Sequence, residues 1–415
     1  MRASARAERR GAGDRDAPRR SRTPMTEPLP CQRPLFEIPD AVSYLDAAAW
    51  SPIPRPVREA GEAGMLTKVR PWAHPRERAA GWAEEARAAA AALIGAGPAD
   101  VAIVGSVSHA MATAARNLSP PPGSRVLRVA DEFPSHRYAW DRLAQARGLV
   151  VEEVARPEDG DWTAALARAI ARPGAPPVGV ATLTPLHWAD GALIDLDRLA
   201  PALREAGAAL VVDATQAAGA VPIDVARLRP DFLAFPTYKW ALGPYSLAFL
   251  YAAAHRQDGV PLEENSGNRP QAAAGARRYD RGERDDPVAL PMAAAGMGLI
   301  AGWGVAGVAA RLRALTDLLA EGCAALGLPV PPRALRAPHI LGIHLPGDEA
   351  ERLVAFLRER QVFASARLGR LRLSPHVWAD EADIARFLHA LRDGVAGGTE
   401  GRAGRSPALT DRRAE

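Results

Sequence analysis

The sequence predicts an α/β protein, in which a large, doubly wound and mainly parallel sheet is followed by a smaller α+β region. Between about Tyr44 and Tyr251, short apolar runs alternate with helical stretches. The runs are mostly apolar on both faces, which is typical of parallel strands covered by helices on both sides. Helical periodicity returns later in Asp348–Arg360 and Asp380–Asp393. The predicted strands are Val101–Val104, Val126–Val129, Leu149–Val154, Val178–Thr182, Ala208–Asp213, Asp231–Phe235 and Ser246–Tyr251.

Capping signals predict one helix between these strands. The segment Asp197–Ala206 has Pro201 in its first turns and is followed by Gly207. Because an aspartate side chain accepts hydrogen bonds from the free N–H groups of a first turn, Asp197 is the predicted N-cap.

A long uncharged segment, Pro287–Ala310, raises the question of a membrane span. It is dominated by alanine and glycine, and Gly298 and Gly302 have the GxxxG spacing found between packed helices. Since these residues contribute little transfer free energy into a bilayer, we expect a buried or subunit-interface helix and no membrane span.

Length and composition favour a globular protein of two domains. The chain has 415 residues, of which 48% are hydrophobic and 24% charged, so it can bury a large core. We expect a disordered tail over 1–28, a large domain with an amino-terminal arm over 29–287, a small domain over 288–396 and a second disordered tail over 397–415.

Positive charge is concentrated near the two ends of the chain. The net charge is +4, yet residues 1–24 hold eight arginines and three acids, and residues 397–415 hold four arginines and three acids. The part between them is therefore slightly acidic, so no nucleic-acid face is expected there. We expect residues 1–24 to be a solvated tail, or translation to start at Met25; a transit peptide and an RNA-contacting arm stay open as alternatives.

Cysteine usage argues against a disulfide framework and against a metal site. The two cysteines, Cys31 and Cys323, lie far apart in the sequence and form no CxxC pair. This usage is typical of a reducing cytoplasm, where we expect the protein.

Lysine is nearly absent from this arginine-rich chain. Of its 52 lysine and arginine residues, only Lys68 and Lys239 are lysines. Arginine stays protonated in proteins, whereas a shielded lysine loses its proton and becomes an amine that forms imines with aldehydes. A retained lysine is therefore a candidate for chemistry that arginine cannot perform.

Lys239 and an acidic residue, Asp213, both lie at or just after the ends of apolar runs. One apolar run ends in Asp213, and another ends at Phe235, shortly before Lys239. Ligands of open α/β sheets bind at the carboxyl ends of the strands, so both side chains are expected in one crevice. A carboxylate beneath a pyridine nitrogen and an imine-forming lysine are what pyridoxal phosphate requires of its protein. Taken alone, Asp213 could cap a helix and Lys239 could be a surface residue.

Eight stretches, in order from about Tyr44 to Leu391, carry a family resemblance. They are YLDAAAWSPIP (44–54), SVSHAMATAARNL (106–118), DEFPSHRYAW (131–140), HWADGALIDL (187–196), DATQAAGAVPIDV (213–225), YKWALGPYSLAFLY (238–251), RRYDRGERDDP (277–287) and LRLSPHVW (371–378). Together they resemble the class V aminotransferase-like family of fold-type I pyridoxal phosphate enzymes, which includes cysteine desulfurases, kynureninases and isopenicillin N epimerases. The resemblance implies the fold-type I architecture, pyridoxal phosphate as cofactor and a small amino acid as substrate.

The resemblance assigns the cofactor contacts. Lys239 would be the Schiff-base lysine, Asp213 the partner of the pyridinium nitrogen, and Gln216 a neighbour of the ring hydroxyl. The backbone of Val107 and the hydroxyl of Ser108 would hold the phosphate at a helix N-terminus, which needs no lysine or arginine. The alternative for Ser108 is an ordinary N-cap.

Aromatic and histidine side chains complete the cofactor site that the resemblance implies. Phe133 would stack on the ring, with plain core packing as the alternative. Tyr238 could reach the phosphate, and His187 or Trp188 could border the pyridine oxygen. Simple packing is the alternative for each of these three residues.

The resemblance also implies substrate contacts. Arg372 matches the arginine with which relatives bind the substrate α-carboxylate, and its planar guanidinium suits that group. The side-chain pocket is expected around Trp50, His74 and His187, with Trp50 and His187 as the best candidates. Residues 279–284 resemble a segment that reaches a neighbouring subunit's site in relatives, so a homodimer is implied.

The sequence departs from its relatives at three places. The run 360–372 contains no cysteine where cysteine desulfurases have their nucleophile, so persulfide transfer is not expected. Pro236 replaces a small hydroxyl residue of many relatives, a phosphate ligand for which Thr237 could substitute. His109 stands where relatives often have tyrosine or glutamate, and its role stays open.

Several functions remain open at this point. Transamination, epimerisation and β-elimination all begin at the α-carbon of the amino acid, and the resemblance favours an aminotransferase, with a lyase as runner-up. A non-catalytic binding protein of the same fold would be expected to lack Lys239 or Asp213, and both are present.

Overall fold

The computed structural model describes residues 27–74, 77–269 and 273–403. The strands are β1 Ser43–Tyr44, β2 Val101–Val104, β3 Arg125–Val129, β4 Val150–Val154, β5 Val178–Leu183, β6 Ala209–Asp213, β7 Phe232–Pro236, β8 Ala248–Ala252, β9 Leu341–His344, β10 Val362–Phe363, β11 Ser365–Arg367 and β12 Arg370–Leu373. The helices are α1 Arg55–Val69, α2 Glu77–Ile94, α3 Val107–Arg116, α4 Pro134–Arg147, α5 Trp162–Ile170, α6 Leu196–Glu205, α7 Val225–Leu228, α8 Ala289–Trp303, α9 Val305–Ala325, α10 Glu349–Glu359 and α11 Glu381–Ala403.

A seven-stranded sheet with the order β2-β8-β7-β6-β5-β3-β4 forms the centre of the molecule. Strands β3 to β7 pair in parallel, and β8 runs antiparallel to both of its neighbours. All seven predicted strands are present, each within two residues of its predicted ends. The prediction of a mainly parallel α/β sheet is confirmed.

Helices cover both faces of this sheet. Alternate residues of β2 enter different cores, with Val101 and Ile103 on one face and Ala102 and Val104 on the other. Helices α3 and α4 contribute to one core, and α2, α5, α6 and α8 contribute to the other. Burial on both faces explains why the strands are continuous apolar runs.

The carboxyl-terminal region contains a second, smaller sheet. Strands β11, β12 and β9 form an antiparallel sheet, against which α10 packs. The amino-terminal segment joins this region, because β1 pairs in parallel with β10 and Gln32 donates a backbone hydrogen bond to Val377. The domain boundaries drawn from the sequence stay predictions.

Two helix ends differ from their predicted positions. Helix α6 is capped by Asp195, whose side chain accepts from Arg198 N at 3.2 Å, so the prediction of Asp197 as the cap is wrong. Helix α11 continues through Gly397 to Ala403, beyond the start of the predicted tail. The predictions for residues 1–24 and for the end of the second tail lie outside the described residues.

The long uncharged segment forms two helices and not one. Helices α8 and α9 are bent by 80° at Gly304, which has a φ of 78°. Of the described helices, none is long and apolar enough to span a membrane by itself, although this bent pair passes that test together. Helix α8 packs against α1 and α2, as expected for a buried helix.

A buried ion pair joins α2 to the loop before α8. The Arg87 and Asp280 side chains are fully buried, with Nη2 and Oδ2 2.9 Å apart. Asp280 also accepts from Ile103 N at 2.8 Å and contacts Arg284. Because removal of one partner leaves a buried charge without compensation, this pair is expected to be sensitive to mutation.

We expect Asp280→Ala to lower the free energy of unfolding by about 3–5 kcal/mol, since the fully buried Arg87 would lose its buried counter-charge and keep only the half-exposed Glu84 carboxylate. Urea unfolding measures the change. Asp197→Ala is the control: it breaks the exposed pair with Arg227 and should cost less than about 1 kcal/mol. Equal effects of the two substitutions would contradict a structural role for the buried pair.

Candidate active site

A cavity of about 430 Å³ lies where the carboxyl ends of the central strands meet β11 and β12. Most of the sequence-predicted site residues line it. These are Val107, Ser108, Phe133, Asp213, Gln216, Tyr238, Lys239 and Arg372. Residues that the sequence reasoning did not assign also line it, among them Glu132, Tyr245, Ser246 and Arg367.

Asp213 and Lys239 come together because β6 and β7 are neighbours in the sheet. Asp213 is the last residue of β6, and Lys239 follows the end of β7 by three residues. One carboxylate oxygen, Asp213 Oδ1, accepts from Thr215 N at 2.8 Å. Both side chains line the cavity, as the reasoning from strand ends predicted.

The surroundings of Lys239 favour its neutral amine. Burial lowers the pKa of Lys239 to about 8, and the positive charges of Arg372 and Arg367 add to this effect. The negative charges of Asp213 and Asp46 raise the pKa but do not cancel the lowering. An ordinary lysine has a pKa near 10.5. A substantial fraction of the amine is therefore unprotonated near neutral to mildly alkaline pH.

A buried acid and histidine stand behind Asp213. His136 Nδ1 lies 3.5 Å from Glu132 Oε2 and 4.0 Å from Asp213 Oδ2, and its Nε2 is 2.5 Å from Thr182 Oγ1. Burial by itself lowers the pKa of His136, but close approach to the Glu132 carboxylate and the charge of Asp213 raise it above its ordinary value overall. Sequence reasoning missed this cluster, although the quoted stretch DEFPSHRYAW contains both Glu132 and His136.

Helix α3 points its amino end into the cavity. Its N-cap is Ser106, whose hydroxyl accepts from His109 N at 3.1 Å, so the alternative role of Ser108 as the cap is wrong. Val107 and Ser108 are the first two helical residues, whose N–H groups have no acceptor inside the helix. Arg281 donates to Ser246 O at 3.2 Å beside this end of the cavity.

Aromatic side chains form two contacts along the cavity. Phe133 packs edge-on against Trp188, with ring centroids 5.3 Å apart. The Tyr238 and Tyr245 rings are 4.3 Å apart, and the Lys239 amine is 5.4 Å from the Tyr238 ring centre. Burial, and then the neighbouring Tyr245, raises the pKa of Tyr238, so this phenol stays protonated.

Gln216 lines the cavity, but its amide is engaged by protein groups. Its Nε2 donates to Ala48 O at 3.1 Å, and its Oε1 accepts from Trp240 Nε1 at 2.7 Å. One amide hydrogen is left for a further acceptor. The role of this side chain toward a ring hydroxyl stays a prediction.

Arg372 is buried and held from three directions. It donates through Nε to Ser365 Oγ at 3.1 Å and through Nη1 to Trp188 O at 3.0 Å, and its Nη2 lies 3.4 Å from Asp46 Oδ1. Burial is the main reason that its pKa falls to about 10. The guanidinium stays charged at neutral pH and retains hydrogens for a ligand.

Three residues predicted for the site do not line the cavity. His74 lies in a separate depression beside Thr67 and Arg78. His187 is buried behind it, with its ring stacked on Trp162 at 5.6 Å and its Nδ1 3.5 Å from Asp190 Oδ1, while Trp188 lines the cavity instead. Trp50 is 60% exposed, and its ring lies 5.4 Å from the Tyr245 ring. None of these three side chains is brought together with Lys239.

Thr237, which the sequence analysis offered as a phosphate ligand in place of the residue replaced by Pro236, is not available for that role. Thr237 is fully buried, and its hydroxyl donates to Pro244 O at 2.5 Å, so it does not line the cavity. Pro236 does line it. His109 does not line it, and its Nδ1 lies 3.9 Å from Glu263 Oε1.

Comparisons with known proteins identify the family. The family model described as "Aminotransferase class-V" matches residues 43–377. The chain belongs to this family. The uncharacterized aminotransferase YcbU of Bacillus subtilis is 28% identical over 88% of the chain and 98% of its own length. The isopenicillin N epimerase of Streptomyces clavuligerus is 28% identical over 74% of the chain and 83% of its own length.

The fold agrees with this assignment. The apo cysteine desulfurase of Thermococcus onnurineus superposes with a TM-score of 0.78 at 22% identity, covering 90% of the chain and all of that structure. The cofactor of the family is pyridoxal phosphate, and the chain has the fold-type I architecture.

The residues of the cavity fit this cofactor. The amino end of α3, with the Ser108 hydroxyl and nearby Arg281, offers donors and positive potential to a phosphate dianion. Asp213, which lines the same cavity, offers a carboxylate to a protonated ring nitrogen, and Lys239 provides the amine for the aldehyde. These groups are of the chemical types that the cofactor requires.

Replacing His136 should destabilise the protein in a pH-dependent way. Because the folded-state pKa of His136 is raised above 6.5, its stabilising contribution is complete below pH 6.5 and is lost as the pH rises through the raised value. The destabilisation caused by His136→Asn should therefore be larger at pH 6 than at pH 9, by about 1.4 kcal/mol for each unit of raised pKa.

Urea unfolding of wild type and variant at several pH values measures this difference. His389→Asn, which removes an exposed histidine of α11, is the matched control and should show little change. A destabilisation by His136→Asn that is the same at every pH would show that the His136 charge does not contribute.

The amine of Lys239 should react with a small acylating reagent with a midpoint near pH 8 in protein freed of cofactor. The reason is that only the neutral amine is nucleophilic. Peptide-resolved mass spectrometry separates Lys239 from exposed Lys68, the internal reference. Reactivity of Lys239 that rises only near pH 10.5 would contradict the shielding of its charge.

Proposed function

We propose that the protein is a pyridoxal phosphate-dependent aminotransferase that acts at the α-carbon of a small amino acid. One observation carries the proposal: Asp213 and Lys239 line the same cavity. The lowered pKa of Lys239, about 8, is consistent with it. Pyridoxal phosphate supplies an aldehyde for the substrate amine and a ring that accepts electrons from the α-carbon.

The residues of the chain have separate tasks in this proposal. Lys239 holds the cofactor and then, as a neutral amine, takes and returns the α-proton. Asp213 keeps the ring nitrogen protonated through its opposite charge. The amino end of α3 binds the phosphate, and Arg372 orients the substrate through its α-carboxylate.

The positions of the cysteines support an activity other than persulfide transfer. Cys323 is fully buried in α9, and burial raises the pKa of its thiol to about 12. The Cys31 thiol lies 3.5 Å from Trp378 O. Among the described residues neither thiol lines the cavity, and a nucleophilic thiolate needs both access and a low pKa.

A homodimer and a cytoplasmic location belong to the same proposal. Helix α1 and the turn after it expose the apolar side chains of Met65, Leu66, Val69 and Trp72. An exposed apolar surface of this kind suits a second subunit. The two free cysteines agree with a reducing compartment.

The visible absorbance spectrum of the cofactor-loaded protein tests the proposal. We expect a band that depends on Lys239: Lys239→Ala should lose it, whereas Lys68→Ala, the matched lysine control, should keep it. Absence of the band from wild type supplied with pyridoxal phosphate, or its survival in Lys239→Ala, would contradict the assignment.

Product analysis then separates the possible reactions. Transfer of the amino group to an added oxo acid supports an aminotransferase. Release of ammonia without an acceptor would identify a lyase, and conversion of an L-amino acid to its D-form would identify an epimerase; either would replace the proposal.

A further inference from the structure

Two arginines of one hairpin line the cavity, and the sequence reasoning assigned only one of them. Strands β11 and β12 pair with Ser365 directly opposite Arg372. Because side chains alternate along a strand, Arg367 lies on the same face as Ser365 and is the diagonal neighbour of Arg372, with Cα atoms about 7–8 Å apart. Both arginines line the cavity.

The two arginines differ in their partners. Arg372 is buried and is accompanied by the Asp46 carboxylate. Arg367 is half-buried, and its hydrogen bond within the part of the chain that the structure describes goes to the carbonyl of the preceding residue, Ala366, at 2.7 Å. Within that same part, no carboxylate lies within 4.0 Å of its nitrogen atoms.

Among the described residues, two neighbouring arginines, unlike Arg367, do contact a carboxylate. Arg370, directly opposite Arg367 in the hairpin, lies 3.2 Å from Asp190, and Arg156 lies 2.7 Å from the same carboxylate. An arginine kept in a cavity without an acidic partner has charge and donors available for a ligand.

The acids that line the cavity or lie beside it already contact other groups. Glu132 faces His136, and Asp46 contacts Arg372 and Ser365. In the proposed function Asp213 faces the cofactor ring. Arg367, whose positive charge lowers the pKa of Lys239, Arg372 and Asp46, therefore has no carboxylate of its own among the described residues, because Asp46 is already engaged by Arg372 and Ser365.

We propose that the substrate is a dicarboxylic amino acid, whose side-chain carboxylate binds Arg367 while its α-carboxylate binds Arg372. This inference rests on the proposed function, because it concerns the substrate of the same site. The two guanidinium groups form a pair of anion sites on one sheet face, and a carboxylate at each matches their fork of donors. The neutral amides asparagine and glutamine would leave Arg367 uncompensated.

Binding of unreactive acids tests the inference without a chemical reaction. Isothermal titration calorimetry of the cofactor-loaded protein compares glutarate, which has two carboxylates, with butyrate, which has one. We expect Arg367→Gln to weaken glutarate binding by about 10–100-fold, the usual effect of losing a charge-assisted hydrogen bond, and to leave butyrate binding nearly unchanged. Arg352→Gln, on the exposed face of α10, changes the net charge equally and should leave both constants unchanged.

Spectral titrations with amino acids provide the second measurement. L-Aspartate and L-glutamate should saturate the change in the visible band at lower concentrations than L-asparagine and L-glutamine. Arg367→Gln should remove that preference, and Arg367→Lys should retain part of it because the charge remains.

Three results would overturn the inference. Equal saturation by acids and amides in the wild type would show that the site does not select a second carboxylate. An equal loss of glutarate and butyrate affinity in Arg367→Gln would assign Arg367 to the α-carboxylate. No difference between glutarate and butyrate in the wild type would remove the second anion site. Failure of the proposed function would give a different result from these three, because the absorbance band that depends on Lys239 would then be absent.

Discussion

Burial of the Lys239 amine among other positive charges is the constraint on which the site depends. An ammonium group loses hydration when it is buried, and Arg367 and Arg372 repel its charge, so the neutral amine is favoured. The same amine on the protein surface would be a protonated cation at neutral pH. The low pKa therefore comes from the tertiary surroundings and turns one of only two lysines into a nucleophile and base.

The central sheet provides those surroundings. Strands β6 and β7 pair in parallel, with Asp213 opposite Ala234, so their carboxyl ends open at one edge of the sheet. Helix α8 supports the segment after Lys239 from behind. A Cβ atom on Gly296 would lie 2.7 Å from the carbonyl oxygens of Ala241 and Leu242, so only glycine permits this close approach. A helix far along the chain thus fixes the position of the lysine loop.

Compensation of charge organises the rest of the cavity. Glu132 and His136 form a buried pair behind Asp213, and Asp46 accompanies Arg372. Buried charges are costly unless they are paired, so these contacts let several ionised groups share a small volume. Arg367 is the exception to this pattern, and that difference is the basis for a dicarboxylic substrate.

The sequence by itself determined the seven strands, the mainly parallel sheet and the meeting of Asp213 with Lys239. Apolar runs buried on both faces and residues at strand ends are local signals, and parallel strands open at the same edge. Only the tertiary structure decided which side chains enter the cavity. In that structure Ser106 caps α3, His187 is buried behind the cavity, and Arg367 lines the cavity together with Arg372. These outcomes depend on contacts and side-chain directions between segments that are distant in sequence, which local patterns do not encode.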